Sequence, residues 1–102
     1  MTPDYYKPAY NEEFRTFQWL RPDGQGQLAA GVTLASTTIV CTDLDSGTDT
    51  TATMIEQVTV YGSTQTKYRI KGGTKYKSYE LEIRAVDSNG QKLADTLIVK
   101  IT

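Results

Sequence analysis

Tyr79-Glu-Leu-Glu-Ile-Arg-Ala-Val-Asp87, Ser88-Asn-Gly-Gln91 and Lys92-Leu-Ala-Asp-Thr-Leu-Ile-Val-Lys-Ile-Thr102 form the stretch that decides the fold. Tyr79, Leu81, Ile83 and Ala85 alternate with Glu80, Glu82 and Arg84, so an extended chain here has one apolar and one polar face. Beyond the Asn-Gly pair, Leu93, Leu97, Val99 and Ile101 again fall on alternate positions, as the returning arm of a hairpin requires. The chain is therefore expected to end in an antiparallel β-hairpin.

Upstream, the sequence from Gly31 is rich in Thr, Val, Ile and Tyr, whose branched or aromatic side chains suit a pleated surface. Thr33 to Thr42 holds one or two short strands with Ile39 and Cys41 on one face. Residues 43–53 read as a polar loop leading into the next strand. Val58 and Val60 mark that strand, and Tyr68 and Ile70 mark another, either side of a Tyr61-Gly-Ser-Thr64 turn. Between Phe14 and Leu20, Phe17 and Trp19 share strand parity while Phe14 and Phe17 share a helical spacing. The conformation there stays open, and burial of the aromatic cluster is expected. Arg21-Pro-Asp-Gly24 is a turn signal, since proline presets the turn and glycine accepts a positive φ. No segment has a helical stripe with caps. About six or seven short strands separated by turns predict an all-β fold, an antiparallel β-sandwich.

A chain of 102 residues suits one domain. Residues 14–102 are assigned to the sandwich and residues 1–13, with Pro3, Pro8 and several charges, to a flexible or extended N-terminal arm. The arm carries Tyr5, Tyr6 and Tyr10, rings able to dock on this domain as an extra edge strand packs, or on a neighbouring subunit. Lys plus Arg number 11 and Asp plus Glu 12, a net charge of −1, which gives no general attraction to nucleic acid or anionic membrane. The absence of a long apolar run and of a signal-like apolar core at the N-terminus predicts synthesis in the cytoplasm.

Ile70-Lys-Gly-Gly-Thr74, Tyr79-x-Leu-x-Ile83, Asp87-Ser-Asn-Gly90 and Leu97-x-Val-x-Ile101 resemble the last strands of an immunoglobulin-like or fibronectin-like sandwich. In such domains a tyrosine near the start of the penultimate strand forms a tyrosine corner, and the resemblance places Tyr79 there. Residues 14–102 also resemble small proteins of the structural gene clusters of tailed bacteriophages and prophages. The residues that carry this likeness are Phe17-Gln-Trp-Leu20, Lys71-Gly-Gly-Thr74, Tyr79 and Ser88-Asn-Gly90. The stretch Thr51 to Tyr61 follows the pattern only loosely. The resemblance implies a structural or assembly role near the head–tail junction or tail, with other phage structural proteins or a second copy of the chain as partners. It implies synthesis in the host cytoplasm with the virion as a destination, and it carries over no catalytic residues.

The residue chemistry agrees with a noncatalytic role. Histidine is absent, and the single cysteine, Cys41, lies in an apolar strand-like segment, where a buried structural thiol is expected. No catalytic residue, cofactor or small-molecule substrate is expected, and zinc lacks ligands. Asp43, Asp45 and Asp49 begin like an EF-hand loop, but Gly47 replaces the third ligand and Met54 the bidentate glutamate, so no metal site is assigned and the carboxylates are expected to be solvated. Lys67, Arg69 and Lys71 alternate and should project from one strand face as a positive ridge. This ridge is read first as a solvent face that discourages edge pairing, and otherwise as a contact for an acidic partner or, less favoured, a phosphate backbone. The candidate partner contacts are thus Tyr5, Tyr6, Tyr10, Lys67, Arg69 and Lys71. The alternative function is a carbohydrate-binding or adhesive module displaying Tyr61 and Tyr76 as a flat pair.

Overall fold

A computed structural model of the chain describes residues 4–20 and 27–102. The elements in chain order are β1 (Asp4–Lys7), β2 (Glu13–Gln18), β3 (Leu34–Asp43), a single helical turn α1 (Thr51–Met54), β4 (Ile55–Tyr61), β5 (Gln65–Ile70), β6 (Ser78–Asp87) and β7 (Lys92–Ile101). The strands form two sheets, ordered β1-β7-β6-β3 and β2-β5-β4. Their inner faces enclose the core, and the fold is a β-sandwich. The Arg21-Pro-Asp-Gly24 turn signal and Pro3 lie outside the described residues.

The β6–β7 hairpin follows from the alternation that predicts it. Tyr79 stands opposite Val99, Leu81 opposite Leu97 and Ala85 opposite Leu93, which brings the apolar sets of both strands to one face. The turn is a three-residue loop, with Gly90 at φ +82° and its N–H donating to the Asp87 carbonyl at 3.0 Å. The Asp87 carboxylate accepts the N–H groups of Asn89 and Gln91, each at 2.9 Å. A buried carboxylate thus closes the turn against its own backbone.

The stretch from Thr33 to Thr42 forms one long strand with a bulge between Leu34 and Ser36. Leu34 and Ile39 have opposite parity and are both buried. The extra residue, Ala35, reconciles them by inverting the alternation. A second register shift lies between Glu56 and Thr59, where Gln57 takes φ 54°, and it lets Ile55 and Val58 both turn inward. The loop of residues 43–53 ends in α1. Asp49 accepts the Thr51 N–H at 2.9 Å, and the Thr51 hydroxyl accepts the Cys41 N–H at 2.8 Å, fastening the turn to the β3 edge.

One chain of hydrogen bonds crosses the sandwich. Trp19 Nε1 donates to the Thr66 hydroxyl at 2.9 Å, the Thr66 and Thr37 hydroxyls lie 2.7 Å apart, and the Thr37 hydroxyl donates to the Arg84 carbonyl at 2.9 Å. Since Thr37 spends its proton on that carbonyl, Thr66 must donate to Thr37. The direction is fixed throughout, and it links Trp19 and β5 in one sheet with β3 and β6 in the other.

The loop of residues 71–77 gathers four elements. The Lys71 N–H donates to the Met54 carbonyl, Tyr76 N–H to the Ile101 carbonyl and Thr74 N–H to the Tyr79 hydroxyl at 2.9 Å. Lys7 Nζ donates to the Gly72 carbonyl at 2.8 Å. Tyr79 is the second residue of the penultimate strand, buried to 3% exposure, and its hydroxyl satisfies backbone five residues upstream. Tyr79→Phe is expected to cost about 1–2 kcal/mol by leaving the Thr74 N–H without its acceptor. A urea melt with an unchanged midpoint would remove this contact from the stability of the fold.

Four residues of the N-terminal segment form β1, paired in parallel with β7 from Asp4 opposite Ile98 to Lys7 opposite Ile101. This is the edge-strand form of packing, one of the two expected of the segment. Lys7 fixes it. The side chain is fully buried, and its ammonium also donates to the carbonyls of Pro8 at 3.0 Å and Ala9 at 3.5 Å. Burial lowers its pKa from the ordinary lysine value, with Glu13 acting in the opposite sense.

Candidate contact surface

β5 is the middle strand of its sheet, so its alternate residues Thr66, Tyr68 and Ile70 are buried while Lys67 and Arg69 project outward, followed by Lys71. The ridge expected from the sequence is present. Its expected role in guarding a sheet edge does not hold, because β2 and β4 cover both sides of β5. β2 sets Phe14 opposite Arg69 and Thr16 opposite Lys67. β4 sets Glu56 opposite Arg69, Thr59 opposite Lys67 and Tyr61 opposite Gln65.

The ridge cations have different partners. Arg69 lies 3.2 Å from Glu12 Oε1 and 3.5 Å from Glu56 Oε1, and Lys71 Nζ lies 3.2 Å from Glu56 Oε2. Lys67 has aromatic partners instead, its ammonium 5.1 Å from the Phe14 ring centroid and 5.0 Å from that of Tyr61. Phe14 is 54% and Tyr61 50% exposed. The expected burial of the aromatic cluster therefore holds for Phe17 and Trp19, and fails for Phe14. β2 is extended, which sends residues 14 and 17 to opposite faces.

A groove of about 420 Å³ opens beside these residues, with Tyr5, Phe14, Arg15, Tyr61 and Lys67 in its lining. Arg15 is held by Glu13 at 2.6 Å, donates to the Tyr6 carbonyl at 3.2 Å, and lies 5.4 Å from the Tyr5 ring centroid. Its buried Nη1 has no hydrogen-bond partner among the described residues. Tyr5 thus belongs to the same surface as Phe14 and Lys67. Tyr6 lies on the other face of β1 with the Lys100 ammonium 5.8 Å from its ring, and Tyr10 is exposed in the β1–β2 connection. The sequence reading missed Phe14 and Arg15. Extended parity from the buried Trp19 and Phe17 back through β2 is the signal that finds them, since it turns Phe14 outward and Arg15 inward.

Tyr61 and Tyr76 do not form a pair. Tyr61 borders the β4–β5 turn, whose Ser63 carbonyl accepts the Leu34 N–H, and Leu34 pairs with Asp87 at the end of β6. Tyr76 precedes the start of β6 and donates its N–H to Ile101. The ten residues of β6 separate the two rings, a distance on the order of 30 Å.

Cys41 is fully buried against Met54, with Sγ 3.9 Å from Sδ, and burial pushes its thiol pKa up. Among the described residues, no three His, Cys, Asp or Glu side chains are placed to hold a metal ion. Of the loop carboxylates, Asp45 and Asp49 belong to exposed residues, as expected, while Asp43 is buried; Asp43 and Asp49 also accept backbone N–H groups. Asp43 is buried, accepts the Asp45 N–H at 2.8 Å and meets Lys77 Nζ at 3.3 Å. Among the described residues no helix is long and apolar enough to cross a membrane.

These contacts set an acid limit on stability. The Asp45 N–H first, then Lys77, holds the Asp43 pKa below the ordinary 3.8. Hydrogen bonds from Asn11 and Arg15 hold Glu13 below 4.5. A depressed folded-state pKa gives stability that is present above the unfolded-state value and is lost as pH falls through the folded one. Between the carboxylate range and the range where the buried Cys41, Lys7 and Tyr68 titrate, stability is therefore expected to be flat, from about pH 5 to about pH 8, and to fall below about pH 4. Asp43→Asn should shallow that slope in urea melts taken across the range. An unchanged slope would show that the Asp43 contacts persist in the unfolded chain or carry no net free energy.

No protein-family model matches the chain, and no curated protein matches it significantly.

Proposed function

We propose that this chain is a noncatalytic contact protein, an immunoglobulin-like sandwich serving as a structural or assembly component of a tailed-phage or prophage particle near the head–tail junction or tail. The observation that carries the contact role is the surface made by Phe14, Tyr61, Lys67 and Tyr5. It sets half-exposed Tyr and Phe rings, residue types enriched at protein interfaces, around the Lys67 ammonium on one sheet. Strand order supports the immunoglobulin-like reading. With β2 to β7 lettered B to G, the sheets run B-E-D and C-F-G, the constant-type orders, with the first strand beside G. The bond from Thr74 N–H to Tyr79 has the position of a tyrosine corner. The particle assignment rests on the resemblance of residues 14–102 to the phage proteins.

Mass spectrometry of purified particles from an induced host tests the particle assignment. Peptides of this chain at a fixed ratio to a portal or tail protein are expected. Abundance in the lysate with absence from well-formed particles would reject a virion component.

A carbohydrate-binding module is the second reading, and exposed Phe14 beside Tyr61 favours it, in place of the Tyr61 and Tyr76 pair first considered. A glycan array decides it, since a sugar platform requires retention that Tyr61→Ala abolishes. A phosphate-backbone role for the ridge is disfavoured by the carboxylates of Glu12 and Glu56, which occupy Arg69 and Lys71.

A further inference from the structure

We propose that Phe14, Lys67 and Tyr61 form a docking point for an acidic segment of a partner protein, one that places an Asp or Glu carboxylate beside an apolar side chain. The inference rests on the reading of the chain as a contact protein and is independent of the particle in which it works.

The charge pattern selects the ligand. Of the three cations on the ridge, Arg69 and Lys71 already meet carboxylates, and among the described residues the contacts of the Lys67 ammonium are the two rings. An ammonium flanked by rings is partly stripped of water and fixed in place, so an incoming carboxylate need not immobilise a flexible lysine. The ring faces and the adjoining groove of about 420 Å³ supply apolar area for the neighbouring side chain. On the same sheet face, Thr16 and Thr59 flank Lys67 as hydrogen-bonding groups. Glu12 and Glu56 beside Arg69 repel a continuous polyanion running along the ridge, which favours a single carboxylate over a chain of phosphates. The occupant is thus peptide-like, acidic at one point and apolar next to it.

The test is an NMR titration of the full chain, ¹⁵N-labelled, with a short capped peptide that carries one glutamate beside one tyrosine among glycines and serines. Shift changes are expected to concentrate at Phe14, Thr16, Tyr61 and Lys67. Lys67→Gln should weaken binding roughly fivefold. Lys71→Gln, whose ammonium is already engaged by Glu56, should leave it nearly unchanged. Both positions are on the surface, and an otherwise unaltered spectrum verifies that each variant is folded. The proposal is overturned if shifts are absent or scattered over the surface, or if Lys67→Gln binds as tightly as the original chain. Equal binding of heparin, DNA or a neutral glucan at the same residues also overturns it. Failure here with the chain present in particles removes this site and leaves the contact role. Success with the chain absent from particles removes only the particle.

Discussion

Trp19→Ala is expected to destabilise the fold by about 3–5 kcal/mol, the range for removing a large buried aromatic. Trp19 is 1% exposed and packs edge-on to Phe17, with centroids 4.9 Å apart and planes at 75°. The substitution opens a cavity between the sheets and removes the donor at the head of the Trp19–Thr66–Thr37–Arg84 chain. Thermal melts should show a fall of more than about 10 °C, given the small unfolding entropy of a domain this size. Thr66→Val, near in volume, deletes the middle of that chain, leaves the Trp19 N–H without an acceptor, and should cost about 2–3 kcal/mol. The double variant is expected to cost less than the sum, because the two residues share one bond. Strict additivity would remove the Trp19–Thr66 bond from the stability of the fold, and a Trp19→Ala melt that barely moves would place the indole outside the cooperative core.

The second large effect is expected at Gly73. Its φ of +92° is a conformation that side-chain-bearing residues rarely adopt, and an added Cβ would lie 2.8 Å from Ile101 Cδ1 and Cγ1 and 3.2 Å from Met54 Cε. Ile101 is buried and held by a hydrogen bond from its N–H to Lys77, so it has little room to retreat. Gly73→Ala should therefore cost about 2–4 kcal/mol, combining backbone strain with overpacking. Gly90→Ala is the comparison. It shares a positive φ, but open space surrounds its Cβ position, so its smaller loss isolates the strain. Equal losses at the two sites would mean that the contact with Ile101 adds nothing.

Much of the fold was legible because alternation is a local signal. The β6–β7 hairpin, the burial of Tyr68 and Tyr79, and the outward row of Lys67, Arg69 and Lys71 all follow from parity within one strand. What parity cannot carry is its own interruption. The bulge at Ala35 and the irregularity at Gln57 invert the alternation, and nothing in their side chains announces them. Burial of a polar group is equally hidden, because its partners are remote in sequence. Thr66 is buried through contacts with residues 47 and 29 positions away, and Lys7 through a carbonyl 65 positions away. The candidate surface was half legible for the same reason. The cations of β5 could be aligned by counting, but Phe14 and Tyr61 reach Lys67 only after β2 and β4 have taken their places beside β5.

The parallel pairing of β1 with β7 fixes how the domain would bear mechanical load. Tension between the segment before β1 and the segment after β7 pulls these neighbours along their common axis in opposite senses. Interstrand hydrogen bonds run across that axis, so the pull shears them together instead of unzipping them one by one. The bonds from Thr102 N–H to Lys7 and from Ala9 N–H to Thr102, with the buried Lys7 ammonium, lie in the same loaded patch. Stretching the chain by its ends is thus expected to meet its main resistance at the pairing of the first and last strands.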